Sequence, residues 1–225
     1  MFARYDRMAK AFTRIGKEIA MAVKAGGPDP AYNPRLRQCV ANAKGVNMPK
    51  DRVDAAIKRA SSKDASNYEE VVYEGYGPHG IPILVETATD NPTRTVANIR
   101  LYFNRSGGAL GTSGSLSFIF ERKGVFRLNA EQVPNFDELE LELIDAGLES
   151  SEREENEIVV YTDYADFGNM MKALEDKGIP VVKAGLERIP NNYADLTEEQ
   201  TDEILELVEK IEEDDDVQAV YHNLK

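Results

Sequence analysis

The spacing of apolar residues is purely helical up to the polar segment 61–67 and mixes strand and helix beyond it, and that change dictates two kinds of architecture. Before it, apolar side chains recur every three and four residues, the repeat of a helix with one buried face. Beyond it, short runs of β-branched and aromatic residues take over. Phe12, Ile15, Ile19 and Val23 predict a first helix, which Gly26-Gly27-Pro28 stops because proline cannot continue the hydrogen-bond ladder. Asn33-Pro34 starts a second, with Asn33 as cap and Pro34 in the first turn, where its missing N–H is not needed. Leu36, Val40 and Ala43 face inward before Gly45 ends that helix. Asn47-Met48-Pro49 restarts the chain, and Val53, Ile57 and Ala60 form a third stripe. Three short helices with short connections make a small bundle. Its apolar faces are narrow, so it is expected to dock loosely on the rest.

Past the linker, residues 71–76 and 81–86 read as strands around the turn Gly77-Pro78-His79-Gly80. Asp90-Asn91-Pro92 opens a helix that buries Val96, Ile99 and Phe103, and Gly107-Gly108 closes it. Strands follow at 116–120 and 124–128, a helix at 136–146, a strand at 158–162, a helix at 165–177 and a strand from 181 to 184. Thr197 caps a long acidic helix carrying Ile204, Leu205, Val208 and Ile211, and residues 218–222 form a last strand. From about 124 to 190 this order is the βαββαβ pattern of a ferredoxin-like unit. The final helix and strand have no partners nearby in sequence, so the economical solution returns them to the sheet begun at 68. The fold class is therefore α+β in three domains: 1–62, basic and helical; 68–122 with 195–225, a split α+β domain; and 123–194, an acidic insertion of the same ferredoxin-like kind.

Charge follows the same division. The chain carries a net charge of −13, which taken alone argues against a polyanion partner. Residues 1–63, however, hold 14 Lys and Arg against 5 Asp and Glu, whereas residues 129–225 hold 7 against 28. Arg4, Arg7, Lys10, Arg14, Lys17 and Lys24 lie along the first helix, mostly away from its apolar face. Arg35, Arg37, Lys44, Lys50 and Arg52 follow on the next two helices, and Arg94, Arg100 and Arg105 could extend the patch from the helix after the linker. Cations that neutralise phosphates release counterions and give a salt-sensitive affinity that is indifferent to sequence. No pair of helices carries a helix-turn-helix recognition pattern. The acidic carboxyl-terminal half suits a basic protein partner, which keeps a scaffold reading open, and its run at 212–216 reads as a solvated turn.

Catalytic candidates are few. His79 and His222 lack metal-ligand neighbours at helical or hairpin spacing, and His79 reads as a turn residue. Cys39, the single cysteine, lies on the apolar face of the second helix and reads as a small core residue. No nucleophile, base and orienter converge in the sequence, so neither an enzyme, a cofactor nor a metal is implied. The glycine-rich segment 107–115 reads first as a long turn, then as a contact for a nucleic-acid backbone, and last as a nucleotide site. One cysteine, no apolar run near the roughly 18 residues of a membrane span, and no secretory leader pattern point to the cytoplasm.

The stretch AGGPDPAYNPRLRQCVANAKGVNMPKDRVDAAIKRA, followed by YEEVVYEGYGPHGIPILVETATDNPTRTVANIR, resembles the YebC/PmpR family, which includes the mitochondrial translational activator of cytochrome oxidase. The similarity runs from about Met8 to the carboxyl terminus and is most specific at 47–51 and 73–95. It implies a helical amino-terminal domain and two α+β domains, one inserted in the other. It also implies a regulatory protein that binds DNA in transcriptional control, or a ribosome-associated translation factor that binds ribosomal RNA or tRNA and relieves stalls at proline-rich sequences. The family has no attributed catalytic residues. Its members are expected to carry a longer basic segment where MFARYDR stands here.

Overall fold

The computed structural model describes residues 2–63 and 65–225, with side chains from Arg7 onward. Three helices come first: α1 (Phe2–Gly26), α2 (Pro34–Gly45) and α3 (Lys50–Ala60). Their common core joins Ile15, Ile19, Ala22 and Val23 of α1 to Leu36, Cys39 and Ala43 of α2 and Val53 of α3. Asn33 does more than cap α2. Its Oδ1 accepts from the Leu36 amide at 3.0 Å, while its Nδ2 donates to the carbonyls of Ala22 at 2.7 Å and Gly27 at 2.9 Å. One buried amide thus closes the end of α1 and the start of α2 together.

Two four-stranded antiparallel sheets follow. The first contains β1 (Glu69–Tyr76), β2 (Pro82–Thr89), β3 (Ala109–Leu110) and β8 (Val217–His222) in the order β3-β1-β2-β8. Helices α4 (Pro92–Arg105) and α7 (Glu198–Glu212) cover one face, burying Ile99, Phe103, Ile204, Leu207 and Ile211 against Tyr73, Ile83 and Val85. Thr197 caps α7 in a reciprocal capping box with Gln200. The second sheet contains β4 (Phe120–Asn129), β5 (Leu148–Arg153), β6 (Glu157–Asp163) and β7 (Val181–Pro190) in the order β5-β6-β4-β7. Helices α5 (Phe136–Leu143) and α6 (Phe167–Asp176) cover it, closing a core around Phe126, Leu128, Val160, Met170 and Leu174. This second order is the ferredoxin-like one. The first sheet also has two helices on four strands, but it differs in connection, because the β1–β2 hairpin occupies its centre.

The local expectations need three corrections. Residues 116–119 are consecutive turns, held by local bonds such as Ile119 N–H to the Leu116 carbonyl at 2.9 Å. Their apolar character is satisfied by burying Leu116 with Leu84 and Phe120, which needs no strand. β7 runs to Pro190, well past residue 184, because it pairs with β4 along the whole of that strand. The helical bundle, finally, is not loosely docked. Gln38 Nε2 and Asn42 Nδ2 both donate to the Ala184 carbonyl, at 2.7 and 2.9 Å, and the Ala184 amide donates back to Asn42 Oδ1 at 2.9 Å. α2 therefore lies against β7 so closely that a Cβ on Gly45 would run into the Val182 carbonyl.

Candidate nucleic-acid interface

The predicted cations divide by what surrounds them. On α1, Lys10 and Arg14 line a narrow crevice with Glu212, Glu213, Asp214 and Asp215, and the Arg14 guanidinium donates to the Glu212 carbonyl at 3.2 Å. Lys17 corrects the sequence reading. It is only 8% exposed, and its ammonium donates to the carbonyls of Ala88 at 2.9 Å and Asp215 at 2.7 Å and to Asp216 Oδ1 at 3.0 Å. Lys17 belongs to the core and cannot present its charge to a phosphate in this fold. The run at 212–216 is corrected with it: Asp216 is buried, so this turn receives α1.

Asp216 organises that junction. Its Oδ2 accepts from Arg94 at 2.7 Å, from the Thr95 hydroxyl at 2.8 Å and from the Thr89 hydroxyl at 3.2 Å. Burial alone would raise the carboxyl's pKa, but the hydrogen bonds from Arg94, Lys17 and Thr95 outweigh it and hold the value at about 2. Asn98 and Tyr102 of the same helix α4 bind Asp214 Oδ2, each at 3.0 Å. Arg94 is exposed yet committed to Asp90 and Asp216, so it does not form one stripe with Arg100 and Arg105, which are also exposed.

The other cations of the bundle look outward. Lys44, Lys50 and Arg52 are exposed around the connection between α2 and α3, where Arg52 lies 5.6 Å from the Phe12 ring centroid. Arg7 lines a shallow apolar cleft with Met8, Ala11 and Val46 at this same end of the bundle. At the opposite end, Lys24, Arg35 and Arg37 are exposed. Arg35 pairs with Glu70, and Arg37 donates to the Pro30 carbonyl at 3.2 Å. The side chain of Arg4 lies outside the described residues.

The glycine-rich segment has several of its amides occupied. Glu74, a buried carboxylate on β1, accepts from the Gly114 amide at 2.9 Å and the Leu116 amide at 2.6 Å, and its own carbonyl accepts from Gly111 at 2.7 Å. The segment is a turn organised around an internal anion, and a phosphate would have to displace Glu74 to use those N–H groups. Among the described residues no cluster of three His, Cys, Asp or Glu could hold a metal ion, and no helix is long and apolar enough to cross a membrane. Cys39 is buried in the bundle, where desolvation pushes its thiol up to about 12.

Two family models match this chain in succession. One, described as TACO1/YebC protein N-terminal domain, covers residues 1–63; the other, described as TACO1/YebC second and third domain, covers residues 68–224. The chain belongs to the TACO1/YebC family. A "Probable transcriptional regulatory protein" of Cytophaga hutchinsonii is 63% identical over 221 residues, spanning 98% of this chain and 92% of that relative. A protein of the same description from Myxococcus xanthus is 55% identical, spanning 100% and 95%. The crystal structure of a conserved hypothetical protein, Aq1575 from Aquifex aeolicus, superposes with a TM-score of 0.85 at 36% identity, covering 96% of this chain and 90% of that one. The α+β architecture, a three-helix region followed by two four-stranded antiparallel sheets, is thus a TACO1/YebC architecture.

Asp216, Glu74 and Asn42 organise the molecule, and sequence reasoning did not single them out. Lys17 and Asp216 are 199 residues apart, and no local pattern signals a partner at that distance.

Proposed function

We propose that this TACO1/YebC chain is a DNA-binding regulator of transcription that engages the duplex backbone through the exposed cations of its helical bundle. The observation that carries this reading is the exposed set Lys24, Arg37, Lys44, Lys50 and Arg52, cations that outnumber the exposed acids Asp29, Asp51 and Asp54 of the same bundle. The description shared by its relatives as regulators of transcription supports it. A surface of this kind positions a protein on phosphates and reads no bases, so selectivity would come from duplex shape or from a partner protein.

The decisive test reverses Lys44, Lys50 and Arg52 to glutamate and follows duplex binding by fluorescence anisotropy across a salt series. Affinity is expected to fall at least tenfold, with the slope of log K against log salt shallower by about 3, since each lost phosphate contact removes roughly 0.9. Unchanged binding would remove the bundle from the interface.

A second reading, a ribosome-associated translation factor contacting ribosomal RNA or tRNA, is favoured by one observation. The acidic turn 212–216 is fixed against α1, so the negative half cannot swing away from a long duplex that approaches the bundle. A folded RNA flanked by basic proteins would accommodate both signs, and such proteins would be the basic partner suited to the acidic half. Crosslinking in growing cells separates the two: attached promoter DNA supports the first reading, and attached ribosomal RNA at one site supports the second.

A further inference from the structure

The bundle leaves unexplained an aromatic pair on the far side of the linker. Phe118 is 72% exposed, alone among the described phenylalanines in facing solvent, and Tyr193 is 60% exposed. They sit on the two chain segments that lead into and out of the second sheet, and those segments are bonded to each other. The Asn191 amide donates to the Ile119 carbonyl at 2.9 Å, and Asn191 Nδ2 donates to the Phe118 carbonyl at 3.1 Å. Tyr193 is held from its other side, because the Ala194 amide donates to the Asn223 carbonyl at 2.7 Å.

The backbone under Phe118 is equally fixed. Glu74 holds Gly114 and Leu116, the Ser117 hydroxyl donates to the Gly114 carbonyl at 2.9 Å, and Leu116 is fully buried. Two solvent-facing rings on immobilised backbone lose little conformational freedom when they are covered. Their neighbours in sequence are Thr112, Ser113, Ser117, Asn191 and Asn192, all exposed, with exposed Arg105 and Arg122, and the exposed acids Glu121 and Asp195, flanking the two segments. No exposed large aliphatic side chain accompanies the rings on either segment. A protein interface is built around a desolvated apolar centre, whereas isolated rings among hydroxyls, amides and flanking guanidinia match an unpaired base with its sugar and phosphate.

We infer that the tip of the β3–β4 loop at Phe118 and the strap carrying Tyr193 form a second binding site, which takes an unpaired nucleobase of a single-stranded segment by stacking. The site deepens the nucleic-acid reading and rests on it, yet it lies outside the helical cations. Because the loop amides are already held by Glu74, it grips the base by its face and leaves the phosphate to the flanking arginines.

The test uses the full chain and a single-stranded 12-mer carrying one 2-aminopurine, whose fluorescence is quenched on stacking, beside the duplex of the same sequence. Wild type is expected to bind the single strand and quench the probe. Phe118→Ala with Tyr193→Ala should weaken single-strand binding about tenfold and restore fluorescence, with duplex affinity changed less than twofold. Phe118→Tyr, which keeps a ring, should behave as wild type. A double variant that binds and quenches like wild type would overturn the stacking site while leaving duplex binding intact. Equal losses on single strand and duplex would overturn it too, by showing a general contact. A wild type that binds neither probe would remove both this site and the duplex-binding function.

Discussion

Two sets of cations on the helical bundle have the same chemistry in the sequence and different employment in the fold. Lys10, Arg14 and Lys17 succeed one another along α1 and meet the acidic turn 212–216, so most of their charge is answered within the molecule. Lys44, Lys50 and Arg52 lie at the other side of the bundle with exposed side chains. The difference teaches that counting basic residues overstates a polyanion surface whenever a distant acidic segment returns to the same module. The net charge of a segment describes its chain, and only the fold says how much of it faces outward.

The comparison breaks most sharply at Asp216. Asp216→Ala would leave Lys17 and its ammonium buried without a counter-ion, and breaking a buried pair in this way costs about 3–5 kcal/mol. Urea denaturation should report that loss, while molecules that remain folded keep their duplex affinity. An equal fall in affinity would show that the two sets act together.

Asn42→Ala comes next. It strips the Ala184 amide of its acceptor and leaves the carbonyl to Gln38 alone, and is expected to cost about 1–3 kcal/mol, again without an effect on binding.

Acid sharpens the same contrast. Asp216 titrates at about 2 in the folded protein, against 3.8 ordinarily. Its contribution is therefore complete above about pH 4 and is lost as pH falls toward 2. Asp216→Asn should flatten the acid limb of the stability curve over that window, as followed by circular dichroism; an unaltered limb would mean that other carboxylates govern acid unfolding. The smallest expected change in stability, within about 0.5 kcal/mol, belongs to the reversal of Lys44, Lys50 and Arg52, the substitution with the largest expected effect on duplex binding.

Local chemistry made much of the fold legible. Asn33-Pro34, Asn91-Pro92 and Thr197 begin helices as their side chains dictate, each accepting from an amide three residues on. The return of the last strand followed from unpartnered elements, and β8 does pair with β2. β5 was harder to read, because Leu148–Arg153 is a polar edge strand whose Ser and Glu residues carry no alternation. Residues 116–119 misled for the opposite reason, since a turn that buries Leu116 and exposes Phe118 has the apolar composition of a strand. The outward cations lie exposed on the helix sides that their spacing in the sequence indicated. The inward ones do not, because Asp216 and the turn before it come to α1 from the other end of the chain.

That separation governs how the molecule is made. Lys17 is synthesised 199 residues before its carboxylate partner. At roughly 5–20 residues per second of synthesis, a growing chain carries the lysine for something on the order of 10–40 s before Asp216 exists. During that interval the α1 cations have no turn 212–216 to meet, and the first sheet lacks its β8 edge. A chain cut short before residue 212 would leave this ammonium the Ala88 carbonyl without Asp215 or Asp216, so the inward set marks whether the turn 212–216 has been made.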